Sequence, residues 1–335
     1  RGMKMGFGVG GVGGAGINKV VSSSSRNVSF ARVVDTMGKY KLFKSIDAPV
    51  SARAAVISGA KLWMAGLGGN QGGGTVTAYD FGAKAFEPTF SQGHSDVVEA
   101  LVVTDNRVIS ADRSGGIQVR DKEGASLVAI AGHEESVTAL VVAGDTLWSA
   151  SRDKSIKSWD LNSGSCVGTI VGHSGGINAM TKVGQFLVTG SGDETVKVWD
   201  SGTGRQMLSF DAHKGGTKFT CFGIQGDRLF IGEASGRISE HNIMSGEFVR
   251  EYNGHIGSVN AVAFGPTGNL ISGSSDSDIR VWNTNTGKCT SRLKGDGKSA
   301  SSVNALFSDS KGLIVCCTTD KRINLFKASS KPEQL

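Results

Sequence analysis

Seven copies of a repeat of about 41 residues predict an all-β fold, a seven-bladed β-propeller in which each repeat supplies four short strands. Three observations carry that reading. Repeat ends fall at Tyr79-Asp80, Arg120-Asp121, Trp159-Asp160, Trp199-Asp200, His241-Asn242, Trp282-Asn283 and Phe326-Lys327, spaced 41, 39, 40, 42, 41 and 44 residues apart. Gly-His dipeptides keep the same beat at Gly93-His94, Gly132-His133, Gly172-His173 and Gly254-His255, with Ala212-His213 filling the gap. Between these marks lie apolar runs of four to seven residues separated by polar or glycine turns. One such repeat cannot bury its own apolar face, whereas seven closed in a ring can.

The fourth repeat shows the expected division. Residues 176–180 read as strand a, 185–191 as strand b, 195–200 as strand c and 205–210 as strand d. In the sixth repeat Gly265-Pro266-Thr267-Gly268 reads as the a–b turn, with Pro fixing φ and Gly relieving it. The last repeat ends at a strand c, residues 322–326, with no strand d behind it. A lone segment before the first repeat, residues 39–44, has the character of a strand d. It is expected to pair with the final strand c, so that an N-terminal strand closes the last blade and removes two open edges. The ring then occupies residues 39–327, between a Gly/Ser-rich basic tail (1–38), expected to be flexible, and a short C-terminal tail (328–335).

The formal net charge of +6 is unevenly placed. Arg1, Lys4, Lys19, Arg26 and Arg32 stand in the first 34 residues, where there is no acid, so the ring itself is near neutral. Such a tail permits contact of residues 1–34 with RNA or an anionic surface, and it has the composition of an organelle transit segment. The Gly8–Gly13 stretch matches a dinucleotide-binding pattern in letters only, since no clear strand or helix accompanies it and the first acid is Asp35. Five scattered cysteines lack metal-ligand or disulfide spacing, which suits a reducing intracellular compartment, cytoplasmic or nuclear, with chloroplast or mitochondrion left open. No apolar run approaches the roughly 18 residues of a membrane span, and no cofactor or metal is expected.

The repeats resemble those of the WD-repeat family. The resemblance rests on three sets of residues: His133, Ser151, Asp153 and Trp159; His173, Ser191, Asp193 and Trp199; His255, Ser274, Asp276 and Trp282. It implies that each set forms a structural tetrad, in which Asp accepts from His and Ser bridges to the Trp indole. Four repeats depart from the pattern. The second has His94, Ser110 and Asp112 but Arg120 for Trp; the fifth has Ser235 where Asp is expected and His241 for Trp; the seventh has Thr318 and Asp320 without His; the first ends at Tyr79. These blades are expected to be less rigid.

Regular spacing spreads the His and Asp side chains around the ring, so a catalytic centre is not expected. The resemblance implies a non-enzymatic scaffold or adaptor for protein–protein interaction in a multi-subunit complex. Alternatives are an RNA- or ribosome-associated subunit using the basic tail and a ubiquitin-ligase substrate receptor. The latter is disfavoured because Asn162, Gly202 and Asn285 stand where such receptors often carry Arg. The family's docking face is built from d–a and b–c loops. Carried onto this chain, it would present Asp96, Arg113, Glu134, Glu135, Arg152, Lys154, Glu194, Lys214, Lys218, Arg237 and Lys321.

Overall fold

In every repeat the fourth strand is the least buried. In the third, strand a (Val137–Ala143) is buried at all but its last position, b (Thr146–Ser151) at all but its first, c (Ser155–Asp160) at four of six, and d (Cys166–Val171) is mostly exposed. A strand walled in on both faces needs a continuous apolar run, and the outermost strand needs only one apolar side. The computed structural model, which describes residues 40–68, 73–88, 93–212, 218–294, 301–309 and 311–328, arranges such strands as seven antiparallel four-stranded sheets. Blades are numbered here in chain order, blade 1 beginning at strand a Val50–Ser58. In the fourth blade the strands are Ile177–Val183, Phe186–Ser191, Thr195–Asp200 and Gln206–Asp211. The turn at Gly265–Gly268 forms as expected, with a 3.0 Å backbone bond and Gly268 at φ +80°.

The core lies between blades. One apolar cluster joins Val315 and Leu325 of blade 7, Val50, Trp63 and Val76 of blade 1, and Val98 and Leu101 of blade 2. Contact across a seam can be close enough to dictate residue type. A Cβ on Gly190 of blade 4 would sit 2.4 Å from the Phe222 ring of blade 5. Cys316 and Cys317, adjacent on an inner strand of blade 7, are both buried. Burial pushes the Cys316 thiol up to about 12 and Cys317 higher still, so neither has thiolate character near neutrality.

The ring closes as the sequence predicts. Tyr40–Asp47 pairs antiparallel with Arg322–Ala328, from Tyr40↔Ala328 to Asp47↔Arg322, and is the fourth strand of the last blade. Ser45 Oγ donates to Asn324 Oδ1 at 2.7 Å, and Tyr40 and Leu42 pack on the apolar cluster shared by blades 6 and 7. The strand runs three residues further than the sequence reading, because the ladder continues through Asp47 and Ala48 N bonds to Lys321 O. The rest of the tail, residues 1–38, lies outside the described residues, as do the C-terminal residues from 329 onward.

Closure by one segment predicts an asymmetry between two truncations. A chain starting after residue 47 should melt about 10 °C or more below one starting after residue 38, since it exposes a ladder edge and strips apolar contacts worth several kcal/mol. Equal melting temperatures by calorimetry would contradict this closure.

Candidate interaction face

The b–c turns and d–a loops meet on one face of the ring, and three devices hold them. The first is a side-chain relay. In blade 3, Trp159 Nε1–H donates to Ser149 Oγ at 2.7 Å, Ser149 Oγ lies 2.6 Å from His133 Nε2, and His133 Nδ1 lies 2.6 Å from Asp153 Oδ2. An ionised Asp only accepts, so Nδ1 carries the imidazole hydrogen, Nε2 accepts from the serine, and the serine accepts from the indole. Every donor has one acceptor. Blade 4 repeats the chain through Trp199, Thr189, His173 and Asp193, at 2.8, 2.8 and 2.9 Å. Blade 6 repeats it through Trp282, Ser272, His255 and Asp276, at 2.8, 2.8 and 2.9 Å.

The bridging hydroxyl is therefore not the one the sequence pattern implied. Ser151, Ser191 and Ser274 stand two residues nearer the turn. Each donates to a loop carbonyl, of Glu135, Gly175 and Gly257 respectively, and accepts from the N–H of the turn aspartate. Strand b carries hydroxyls at i and i+2, which share a face, so sequence alone does not separate the bridge from the loop clamp. The register does: Leu147 pairs with Trp159 and Leu187 with Trp199, and the indole reaches one hydroxyl deeper. Gly132, Gly172 and Gly254 belong to the same device, since a Cβ on each would crowd the relay indole, at 2.7 Å from Trp199 Cη2 for Gly172.

Burial draws the pKa of His133, His173 and His255 below the ordinary imidazole value, against the opposing pull of their aspartates. Burial also raises Asp153, Asp193 and Asp276. Hydrogen bonds outweigh it, from Ser155 and His133, from Thr195 and His173, and from the Asp278 N–H and His255, and hold all three carboxyls below the usual range.

The departing blades substitute other networks. In blade 2, Asp112 occupies the strand-b place of Ser151, two residues early, and still reaches His94 Nδ1 at 2.9 Å while Ser110 lies 2.7 Å from Nε2. In blade 5, Ser235 holds the expected Asp position, but the acid comes from fully buried Glu233, which accepts from Ser235 Oγ at 2.8 Å and Arg237 Nε at 3.0 Å. His241, in the Trp position, packs between Phe210 and Phe248. Blade 5 adds buried Glu240, which accepts from Arg228 Nε at 2.7 Å and Tyr252 Oη at 2.6 Å. In blade 7, Thr318 Oγ1 donates to Asp320.

The second device is a backbone clamp. The turn residue donates its N–H to the residue leading into strand a: Arg113 to Val97, Arg152 to Ser136, Gly192 to Gly176, Ala234 to Lys218, Ser275 to Ser258 and Thr319 to Ser302. The third is a β-bulge near the start of every strand a, at Arg53, Glu99, Thr138, Asn178, Thr220, Asn260 and Asn304. An unpaired bulge residue re-aims its side chain out of the ladder. Four of these side chains stitch onto the next blade's strand a: Thr138 to Ile177 O, Thr220 to Val259 O, Asn260 to Val303 O and Asn304 to Ala52 O.

Of the rim residues expected from sequence, Arg152, Lys154, Glu134, Glu135, Glu194, Lys218 and Lys321 are exposed, and Asp96 is half-buried. Two cations are tied down. Arg113 bonds Glu99 at 2.6 Å, and Arg237 bonds Glu233 and Glu251. Lys214 lies outside the described residues, as does His213. The expected basic cluster of Lys214, Lys218 and Arg237 therefore reduces, among the described residues, to Lys218. The bulge residue Arg53 was not foreseen, because only the register reveals the bulge.

A seven-bladed ring with hydroxyl-bridged His, Asp and Trp side chains defines a class, the WD40 β-propeller. The family model for the WD domain, G-beta repeat, matches residues 124–160, 164–200 and 246–283, the stretches that end in the three complete relays. Over 114 residues the chain is 28% identical to an uncharacterized WD repeat-containing protein of Schizosaccharomyces pombe (strain 972 / ATCC 24843). That match spans 32% of this chain and 30% of the yeast protein, so under a third of the relative's length is represented. Among solved structures, the WD40 β-propeller domain of Doa1 superposes with a TM-score of 0.72 over 87% of this chain and 98% of that one, at 17% identity, a likeness of fold. Three of the seven repeats thus match the WD domain model, and the ring as a whole has the fold of a WD40 propeller.

Two outcomes follow from the relay. Thr189→Val should cost roughly 2–3 kcal/mol by leaving a buried indole N–H unpaired, and should move the Trp199 indole proton resonance. Ser191→Ala should cost about 1 kcal/mol and leave that resonance in place; the reverse result would restore the serine assigned from sequence.

Acid should destabilise the fold in two stages. Below about pH 6.5 the unfolded chain's imidazoles bind protons that the buried ones refuse, and stability falls. Below about pH 3.9 unfolded carboxyls protonate while the relay aspartates still resist, and it falls again. Thermal melts across pH 8 to 3 check this, and a melting temperature that rose from pH 7 to 5 would contradict neutral relay histidines.

Proposed function

We propose that this protein is a non-enzymatic docking platform that holds a partner protein, within a larger assembly, against the face built from the b–c turns and d–a loops. WD40 propellers serve in general as protein-interaction scaffolds, and the match of three repeats to the WD domain model supports that coarser role here. The observation that carries the reading is that, of the five non-glycine residues with positive φ among the described residues, four stand at turn tips of this face and one, Lys84, on the opposite face. Lys154, Glu194, Ser277 and Lys321 have φ of 72, 68, 71 and 62°, where blades 2 and 5 place Gly115 and Gly236. A left-handed non-glycine residue costs on the order of 1–2 kcal/mol, and strain kept where glycine is the cheaper choice supports a use for the side chain. All four tips project from turns that the relays and clamps pin in place. The histidine–aspartate pairs, each engaged within its own blade, support the non-enzymatic reading.

The test is affinity capture with mass spectrometry. Reversing the tip charges (Lys154→Glu, Glu194→Lys, Lys321→Glu) should cut recovery of the captured partners at least about tenfold, equivalent to 1.4 kcal/mol, without shifting the melting temperature. Reversing opposite-face charges (Lys84→Glu, Lys288→Glu, Lys311→Glu) should leave recovery unchanged. Partners lost only from the opposite-face variant would place docking elsewhere.

A further inference from the structure

The wall of the channel mouth on this face comprises, for each blade, the residue leading into strand a, the bulge residue and the clamped turn residue. Its neutral groups are largely spent on the fold. Thr138, Thr220, Asn260 and Asn304 bond across the seams, and Ser51 Oγ donates to Thr319 O at 2.9 Å. Its single acid, Glu99, is nearly buried and held by Arg113. What remains is cationic: Arg53 on blade 1, Arg152 on blade 3 and Lys218 on blade 5 are exposed and make no ion pair among the described residues. Among the described residues the acids of this face without an ion pair, Asp96, Glu134, Glu135 and Glu194, belong to the d–a loops and turn tips, not to the wall.

We infer that the channel mouth receives an acidic peptide segment of a partner protein, a run of Asp and Glu side chains lying across the mouth. The inference rests on the docking-platform reading and names the chemistry of its partner. Charge complementarity selects the sign, since a wall of three unanswered cations repels a basic segment and leaves a neutral one unsteered. Spacing selects the form. The three cations stand on alternate blades, with the neutralised Arg113–Glu99 pair on blade 2 and the uncharged wall residues Gly176, Asn178 and Gly192 on blade 4 between them. A single phosphate is best held by cationic donors that converge on it. Separated cations instead suit carboxylates distributed along an extended chain.

The test measures binding of a fluorescein-labelled decapeptide alternating Glu and Ser to the full chain. Its Gln/Ser counterpart, a phosphoserine peptide of equal charge and an RNA decanucleotide serve as comparisons. The Glu peptide should bind best and weaken as salt is raised. Arg53→Glu with Arg152→Glu and Lys218→Glu should weaken it at least about tenfold, while Lys84→Glu, Lys288→Glu and Lys311→Glu, an equal charge change, should alter it less than about twofold. All three wall residues are exposed, so a thermal melt should show the variant folded. Absence of binding, binding that survives the wall reversal, or tighter binding of phosphopeptide or RNA would each overturn the inference. If the tip-charge variant still loses its captured partners in that case, the platform reading stands and only the partner chemistry falls.

Discussion

Burial between neighbouring blades is the constraint on which everything else depends. Strands a and b are buried on both faces, so a lone four-stranded sheet of this chain would leave apolar surface in water. Each blade is stable only with a neighbour on either side, and only a closed ring gives every blade two. Closure by a strand from the opposite end of the chain meets that demand. The N-terminal segment fills the last blade, so separating blade 7 from blade 1 requires breaking a ladder as well as parting a seam.

The relay solves a second problem that closure creates. Drawing turns and loops against the inner strands buries indole, imidazole and carboxylate groups, each costly without a partner. The order indole, hydroxyl, imidazole, carboxylate satisfies every donor in turn and fixes the histidine tautomer. The variations show that the requirement is satisfaction, not one residue set. Blade 2 moves its acid two residues along the strand and keeps the histidine bonds. Blade 5 uses buried Glu233 and Glu240 with arginines and a tyrosine in place of the aspartate and indole. Tyr252 is correspondingly held far from ionisation, by burial first and then by its bond to Glu240.

The face of b–c turns and d–a loops inherits its rigidity from these devices. Clamp bonds tie turn to loop, bulges turn polar side chains out of the ladder at the channel mouth, and four tips hold a left-handed conformation. WD40 propellers serve in general as protein-interaction scaffolds. Neither the fold nor the comparisons supports RNA contact, and the basic residues 1–34 on which that alternative rested lie outside the described residues.

Periodicity by itself determined the number of blades, the four strands of each and the closing strand. These follow from a hydrophobic pattern repeated at fixed intervals, and such a pattern is a property of the linear chain. The identities of the relay histidines, aspartates and tryptophans were legible for the same reason, since their offsets recur. Tertiary structure alone decided which of two like hydroxyls bridges them, because Ser149 and Ser151, or Thr189 and Ser191, share a strand face and differ only in depth beneath the indole. It alone showed that Arg113 and Arg237 are spoken for while Arg53 makes no ion pair among the described residues. Ion pairing and bulge position depend on cross-strand register, which brings together residues whose separation in the sequence carries no trace of the contact.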